Sequence, residues 1–479
     1  MKLLLIYPPK NHHVFGSTFH SNVIEVESGC YPPIGLMYIA SYVMKNSNCE
    51  VKIIDSNAEK LSHDGVKGII EREKPDIVGI YFTTFYLHDG IMVARAAKAL
   101  SKDIIVIAGG PHISLYSKET ISIPEIDIAV EGEGEAVTLS IIKAIQKNRL
   151  SPELKNIPGV ILKENKNNFI PHCRVPMLNI LPFPARELVD YKKYRSILAK
   201  RNPITTIISS RGCSYRCKFC SNLESGHRVR YRSAKNVVDE MQECIEKFGI
   251  YDFFFFDELF TVNKERVIDI CNEIKSRNMK IRWHCRSRAD VLDEEMIIRM
   301  KKAGCRLIQF GIETGSERLQ KYINKNLNLI KVHHIIKNVY ENGIHTYADF
   351  MVGLPTETRE ETMETIEYAK MLDLDYAAFR MFGPLYGSEF YDEGLKEGRF
   401  VDFWRDFVAN PVIPVKDGSW SLQDTPKYHS VVVKAYRQFY YRPWFMIKKI
   451  FRTDSLAQMG WQLKSGFRLI AEIFKKFNN

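Results

Sequence analysis

Cys213, Cys217 and Cys220 stand in the stretch RGCSYRCKFCSN (211–222), spaced C-x3-C-x2-C. Three thiols this close can staple a loop, hold zinc, or hold a metal centre with one coordination position left free. Structural zinc takes four ligands, usually as two close pairs, and no second pair stands nearby. A disulfide would strand the third thiol. It would also need an oxidising compartment, and the start MKLLLIYPPK has an apolar run of only four residues, too short for a secretory leader. Three thiolates can instead ligate three irons of a 4Fe–4S cluster, so that the fourth iron carries no protein ligand. That iron is a binding site. The other seven of the ten cysteines stand singly and read as small core residues of a reduced, cytoplasmic chain.

What positions the trio is a series of short apolar runs separated by amphipathic helical stretches. The loop follows ITTIISS (204–210), and further runs come at DFFFFD (252–257), IRWHCR (281–286), RLIQFGIE (306–313), TYADFMVG (346–353) and DYAAFRM (375–381). Six strands alternating with helices predict a partial (β/α)6 barrel of the TIM type, with chemistry at the carboxyl ends of its strands. An earlier series, KLLLIY (2–7), VKIID (51–55), DIVGIY (76–81), IIVIAGG (104–110) and IDIAV (126–130), predicts an α/β, doubly wound, Rossmann-like parallel sheet. Its crevice should lie at the strand ends, where Thr83, Thr84, Gly109, Gly110, Pro111, His112, Glu131, Gly132 and Glu133 fall. The glycines would let backbone approach a ligand closely, although a tight turn uses them equally well. No G-x-G-x-x-G follows the first strand, so that ligand is not expected to be NAD.

These boundaries divide the chain into a sheet domain (1–150), a proline-punctuated linker (151–200), the barrel (201–400) and a mainly helical C-terminal cap with a basic amphipathic tail (401–479). Ser62-His63-Asp64-Gly65 reads as a helix start. The formal net charge of +11 does not point to nucleic acid, because eight Lys/Arg against two acids are concentrated from Tyr441 to Asn479. That tail interleaves aromatic and basic residues. It can lie on an anionic membrane surface or dock its apolar face on the barrel, and both readings stand.

The cysteine loop, with Phe219 just before its third cysteine, resembles the signature of the radical S-adenosylmethionine superfamily. FFFFDELF, WHCRSRAD, FGIETGSE and MVGLPTET match further motifs of that family over about 200 residues. The resemblance implies that Asp257 and Glu258 face the methionine amino group and Arg286 and Arg288 its carboxylate. It also implies that Glu313 lies at the ribose and Gly353 and Pro355 beside the adenine. YPPIGLMYIASYV, AGGPHISL and EGEGE are similar to the cobalamin-binding domain that precedes this barrel in one subfamily. Cobalamin domains that supply a lower axial histidine carry it in D-x-H-x-x-G after the first strand; that motif does not occur here, so the resemblance implies cobalamin held without that histidine, as in much of this subfamily.

The implied cofactors are therefore a 4Fe–4S cluster, S-adenosylmethionine and cobalamin. The implied chemistry is reductive cleavage to a 5′-deoxyadenosyl radical, with an electron donor such as flavodoxin or ferredoxin. Methylation of an unactivated carbon of a small-molecule or lipid-like substrate is the first expectation. Oxidative cyclisation or rearrangement, as in the anaerobic magnesium-protoporphyrin IX monomethyl ester cyclase family, is the second. A non-catalytic cobalamin or redox sensor is the reading from another class. A methylthiotransferase of tRNA fits less well, since neither a second cysteine trio nor a terminal RNA-binding barrel is found. No residue is assigned a catalytic role.

Overall fold

The computed structural model describes residues 1–12, 29–148, 152–221, 227–383, 385–399, 402, 405, 407–408, 425–452 and 460. The chain forms two compact units. In the first, the strands are β1 (Lys2–Tyr7), β2 (Glu50–Asp55), β3 (Ile77–Tyr81), β4 (Ile105–Gly109), β5 (Ile128–Val130) and β6 (Val160–Ile161). They join in the order β2-β1-β3-β4-β5-β6. All neighbours are parallel except β6, which runs antiparallel to β5. The order reverses between β1 and β3, which opens the crevice of a doubly wound sheet at that point.

The helices are α1 (Ile34–Asn46), α2 (His63–Glu73), α3 (Leu87–Leu100), α4 (Ile113–Ile121) and α5 (Gly134–Lys147). Alternate strand residues such as Leu3, Leu5, Ile77, Ile105 and Ile107 share one buried core with Met37, Ala40, Ile141 and Ile142 of α1 and α5. Helix α2 starts as its sequence suggests, because the Ser62 side chain accepts the Gly65 N–H at 3.1 Å.

Two expected boundaries need correction. Residues 152–194 are no free linker, because Leu154, Val160, Leu162 and Ala185 are buried in the core of the first unit. The hydrophobic residues among the prolines, and not the prolines, decide where this segment goes. The start of the expected barrel cap also belongs to the first unit: Asp402 accepts the Tyr116 hydroxyl at 3.0 Å and Arg405 pairs with Glu119 at 3.0 Å. Most of 401–424 lies outside the described residues.

The second unit holds β7 (Ile204–Ile207), β8 (Asp252–Phe255), β9 (Arg282–Ser287), β10 (Cys305–Glu313), β11 (His345–Val352) and β12 (Tyr376–Met381). They form one all-parallel sheet in simple sequential order. Its helices include α6 (Ala234–Phe248), α7 (Lys264–Ser276), α8 (Glu294–Lys302), α9 (Glu317–Tyr322), α10 (Leu329–Glu341) and α11 (Arg359–Met371). This is the six-stranded partial barrel.

Its last strand is an open edge, and α12 (Thr425–Tyr440) covers it. The Tyr440 hydroxyl accepts the Ala377 N–H at 3.0 Å and donates to the Ala377 carbonyl at 2.9 Å; the Tyr436 hydroxyl accepts the Phe379 N–H at 3.2 Å. Helix α13 (Pro443–Arg452) is held by Arg452, whose guanidinium meets Asp375 at 2.9 and 3.0 Å and stacks 3.6 Å over the Tyr340 ring. This part of the tail docks, while Trp444 and Ile447 stay exposed. Residues 461–479, which carry the rest of the aromatic pattern, lie outside the described residues. Among the described residues no helix is long and apolar enough to cross a membrane.

Candidate functional site

The cysteine loop leaves β7 through Ser209 and Ser210, and a buried carboxylate anchors that exit. Asp257, fully buried after β8, accepts the Ser209 N–H at 2.7 Å and the Ser209 and Ser210 hydroxyls at 2.5 and 2.6 Å. Arg266 balances its charge at 3.6 Å and lies over the Tyr231 ring at 5.1 Å. A buried ion survives only when it is paired and hydrogen-bonded, and these contacts do both. Asp257 therefore spends its oxygens inside the fold and does not face outward toward a ligand. Its neighbour Glu258 is exposed and accepts the Gly212 N–H at 3.1 Å, where Gly212 turns the loop at φ +103°.

Of the three thiol-bearing residues, Cys213 and Cys217 are half-buried and Cys220 is exposed. Cys220 is accessible to solvent, yet surrounding protein, and then the charges of Cys217 and Cys213, push its thiol up to about 11. Burial likewise raises Cys217, while Lys325 and Arg288 pull the other way. Among the described residues, the His, Cys and carboxylate donors that all lie within 4.8 Å of one another are His12, His63 and Asp89; the three thiols do not all meet within that distance.

Around the thiols the structure gathers cations. Arg288 stacks 3.9 Å over the Tyr215 ring, grips Asp290 at 2.9 and 2.7 Å and donates to the Lys325 carbonyl at 2.8 Å. Its Nη1 is buried with no partner, an orphaned donor of the kind a carboxylate satisfies. Lys325 is buried, bonds Glu313 at 2.7 Å and lies 5.7 Å over the Phe219 ring. Glu313 adopts φ +73° where β10 and β11 slip register, which turns its side chain out of the strand pattern.

Phe219 packs with Leu354 in a small core, so the turn after β11 sits beside the loop. In that turn Gly353 has φ +84°, and the Glu357 carboxylate accepts the Gly353 and Leu354 N–H groups. Pro355 follows in the same turn. Arg286, in contrast, is exposed on β9 over the Phe256 ring at 5.5 Å and does not join this set.

In the first unit, the predicted residues form two small assemblies. Thr84 and His112 bond at 2.9 Å (Oγ1 to Nδ1), tying the ends of β3 and β4. His112 is enclosed, and burial lowers its imidazole to about 3, so it is neutral and acts as a brace. Gly110, at φ +106°, turns against the Phe82 carbonyl; a side chain there would collide with it. Gly109 and Pro111 flank the same turn, and Thr83 precedes the single turn of helix that carries Thr84.

Beyond β5, the close approach that Gly132 permits is that of His172, whose ring fills the space a side chain would need. His172 also lies 3.7 Å from Glu131 and lowers its carboxyl, while Glu133 accepts the Val175 N–H at 2.9 Å. The EGEGE stretch thus holds the chain's own 170–176 segment. Sequence reading missed Lys325 and Tyr215. The one signal for Lys325 is its setting in INKNL, where Asn324 and Asn326 both take the left-handed conformation at φ +55°.

A radical SAM superfamily profile matches residues 207–369 and a B12-binding domain profile matches residues 22–142. The chain is 35% identical to an uncharacterized methyltransferase of Pyrococcus horikoshii over 99% of both chains. It is 27% identical to the anaerobic magnesium-protoporphyrin IX monomethyl ester cyclase of Rubrivivax gelatinosus, over 93% of this chain and 78% of that one. The fold is shared with the radical S-adenosylmethionine methyltransferase TsrM of Kitasatospora setae, at TM-score 0.66 and 18% identity over 83% and 78% of the chains.

The chain belongs to the cobalamin-binding radical S-adenosylmethionine family. It is a radical S-adenosylmethionine enzyme, and its cofactors are a 4Fe–4S cluster, S-adenosylmethionine and cobalamin.

Proposed function

We propose that this enzyme methylates an unactivated carbon of a small-molecule or lipid-like substrate. The observation that carries the reading is the union, in one chain related end to end to a methyltransferase, of a cobalamin-binding unit and a barrel whose first loop presents three thiols. When bound, the cluster supplies the electron that opens the sulfonium bond of S-adenosylmethionine, and cobalamin supplies a transferable methyl group.

The chain's own share is binding, orientation and exclusion of water. Cys213, Cys217 and Cys220 would hold three irons. Arg288, with its orphaned Nη1, suits the methionine carboxylate, and Glu258, exposed at the loop entry, suits the amino group in place of Asp257. Lys325, bonded to Glu313 at 2.7 Å, holds that carboxylate toward a ribose hydroxyl, and the Gly353-Pro355 turn borders the adenine. Thr83, Gly109, Gly110 and Pro111 line the strand ends offered to cobalamin, with Thr84 and His112 bracing them from behind.

The test is anaerobic reconstitution with cobalamin, an electron donor such as flavodoxin or ferredoxin, and methyl-labelled S-adenosylmethionine, presented to candidate substrates and extract fractions. A product that gains the labelled methyl group supports the reading. A product that only loses hydrogen favours oxidative cyclisation, the second reading, for which the long alignment with the cyclase speaks. Absence of any S-adenosylmethionine cleavage on reduction would leave the sensor reading. Peripheral membrane contact through exposed Trp444 and Ile447 belongs to the same proposal. Replacing both by serine should abolish pelleting with anionic vesicles; unchanged pelleting would refute that contact.

A further inference from the structure

We infer that His12, His63 and Asp89 form a binding site for a first-row divalent transition-metal ion at the switch point of the N-terminal sheet, with His88 beside it. The site is separate in residues from the thiol loop and from the Thr84–His112 brace.

Each ligand comes from a different loop at the carboxyl ends of adjacent strands: His12 after β1, His63 at the start of α2 after β2, and Asp89 at the start of α3 after β3. Their donor atoms all lie within 4.8 Å of one another. Asp89 Oδ1 is 2.7 Å from His12 Nδ1 and 3.0 Å from His63 Nε2. Metal–ligand bonds of about 2.1 Å meeting at right angles put neighbouring ligand atoms about 3.0 Å apart, the edge of a two-histidine, one-carboxylate face.

The carboxylate is also held for the task. Asp89 has no exposed side-chain surface, and its Oδ2 accepts the His12 backbone N–H at 2.9 Å, leaving Oδ1 to the two imidazoles. Among the described residues its ion-pair partners are these two histidines. A hydrogen-bonded triad without metal would be the plainer account, but Oδ1 already meets His12 Nδ1 at 2.7 Å, and His63 Nε2, buried and 3.0 Å from the same oxygen, is poorly aligned for a second hydrogen bond. Two imidazole nitrogens that converge on the one oxygen Oδ1 form the arrangement a common ion would draw together. The His88 ring lies 5.1 Å from that of His12, and its Nδ1 is buried without a partner, a further donor at the rim. Nitrogen and carboxylate ligands together select zinc or ferrous iron over magnesium or calcium. An ion there would fasten the three loops that follow β1, β2 and β3 to one another.

The experiment uses the untagged, full-length enzyme with its cluster and cobalamin in place, washed with a mild chelator and dialysed against Zn2+, which neither cofactor contains. Mass spectrometry of the metal should find about one zinc per chain, and melting of the protein should move upward with zinc. His63→Ala and His12→Ala should each weaken zinc binding by more than about tenfold while cluster iron and cobalamin stay at wild-type levels. His12, partly exposed at 33%, gives a variant that tests the site even where Asp89→Asn fails to fold. Zinc at less than a tenth of an equivalent, or equal zinc in the histidine variants, overturns the proposal. So does nitrogen splitting in the electron paramagnetic resonance spectrum of the cob(II)alamin form that vanishes in one of these variants, because that lone pair would then belong to the cobalamin cobalt.

Discussion

The two α/β units equip the carboxyl ends of their strands in opposite ways. The barrel crowds charge there: three thiols, Glu258, Glu313 and Asp257, with Lys325, Arg288 and Arg266 set among them. The sheet unit shows the Gly109–Gly110 turn, a Thr84–His112 bond with a neutral His112, and carboxylates (Asp89, Glu131 and Glu133) spent on the chain's own histidines and backbone. A site for thiolate-bound metal and an ionic cosubstrate needs built-in countercharge, whereas a large ligand laid on strand ends needs backbone clearance and stiff loops. Damage to the barrel site should therefore act through charge, and damage to the sheet site through packing.

The largest break should come from Cys220→Ala, expected to remove cluster iron and all reductive cleavage of S-adenosylmethionine, read by iron content and 5′-deoxyadenosine. Asp257→Ala should cost about 3–5 kcal/mol in denaturant unfolding, because Arg266 is left as an unpaired buried charge. Lys325→Met should weaken S-adenosylmethionine binding by roughly tenfold to a hundredfold with cluster iron retained, since Glu313 loses its charged partner. In the sheet unit Thr84→Val should cost only about 1–2 kcal/mol, measured by the same unfolding curves, as one buried hydrogen bond is lost.

The gentlest test is pH. His112, lowered to about 3 by burial, takes up its proton in the unfolded chain at higher pH than in the folded one. Its neutral burial costs nothing above about pH 6.5 and opposes folding increasingly as pH falls from there toward 3, by about 1.4 kcal/mol per unit. His112→Phe should flatten that part of the stability profile, and an unchanged slope would assign the acid sensitivity elsewhere.

The element types were legible because period does the work: runs such as IIVIAGG are apolar throughout, which only a sheet covered on both faces requires. The cysteine loop was legible because its spacing is local. The role of Asp257 was not, since FFFFDELF places two acids in adjacent positions and only the fold reveals which one turns inward to Ser209 and Arg266. Lys325 was hidden for the same reason: it reaches Glu313 from 12 residues away, and no period links them. The segment after residue 151 misled because prolines are conspicuous, whereas Leu154, Val160 and Leu162 are what the core binds. His12, His63 and Asp89 come together from three loops, a meeting that the strand order β2-β1-β3 dictates and the sequence does not display.

An incomplete barrel has a penalty that a closed one avoids: the outer rim of β12 offers unpaired N–H and carbonyl groups to any passing strand. Tyr436 and Tyr440 satisfy those groups at Ala377 and Phe379 with hydroxyls, which occupy the rim without extending the sheet. The C-terminal helix that bears them thereby works as an intramolecular guard against self-association. A chain cut before residue 425 should reach solution as aggregate even though every cofactor-facing residue of its barrel is intact, and Tyr436→Phe with Tyr440→Phe should bring out the same stickiness in the full-length protein.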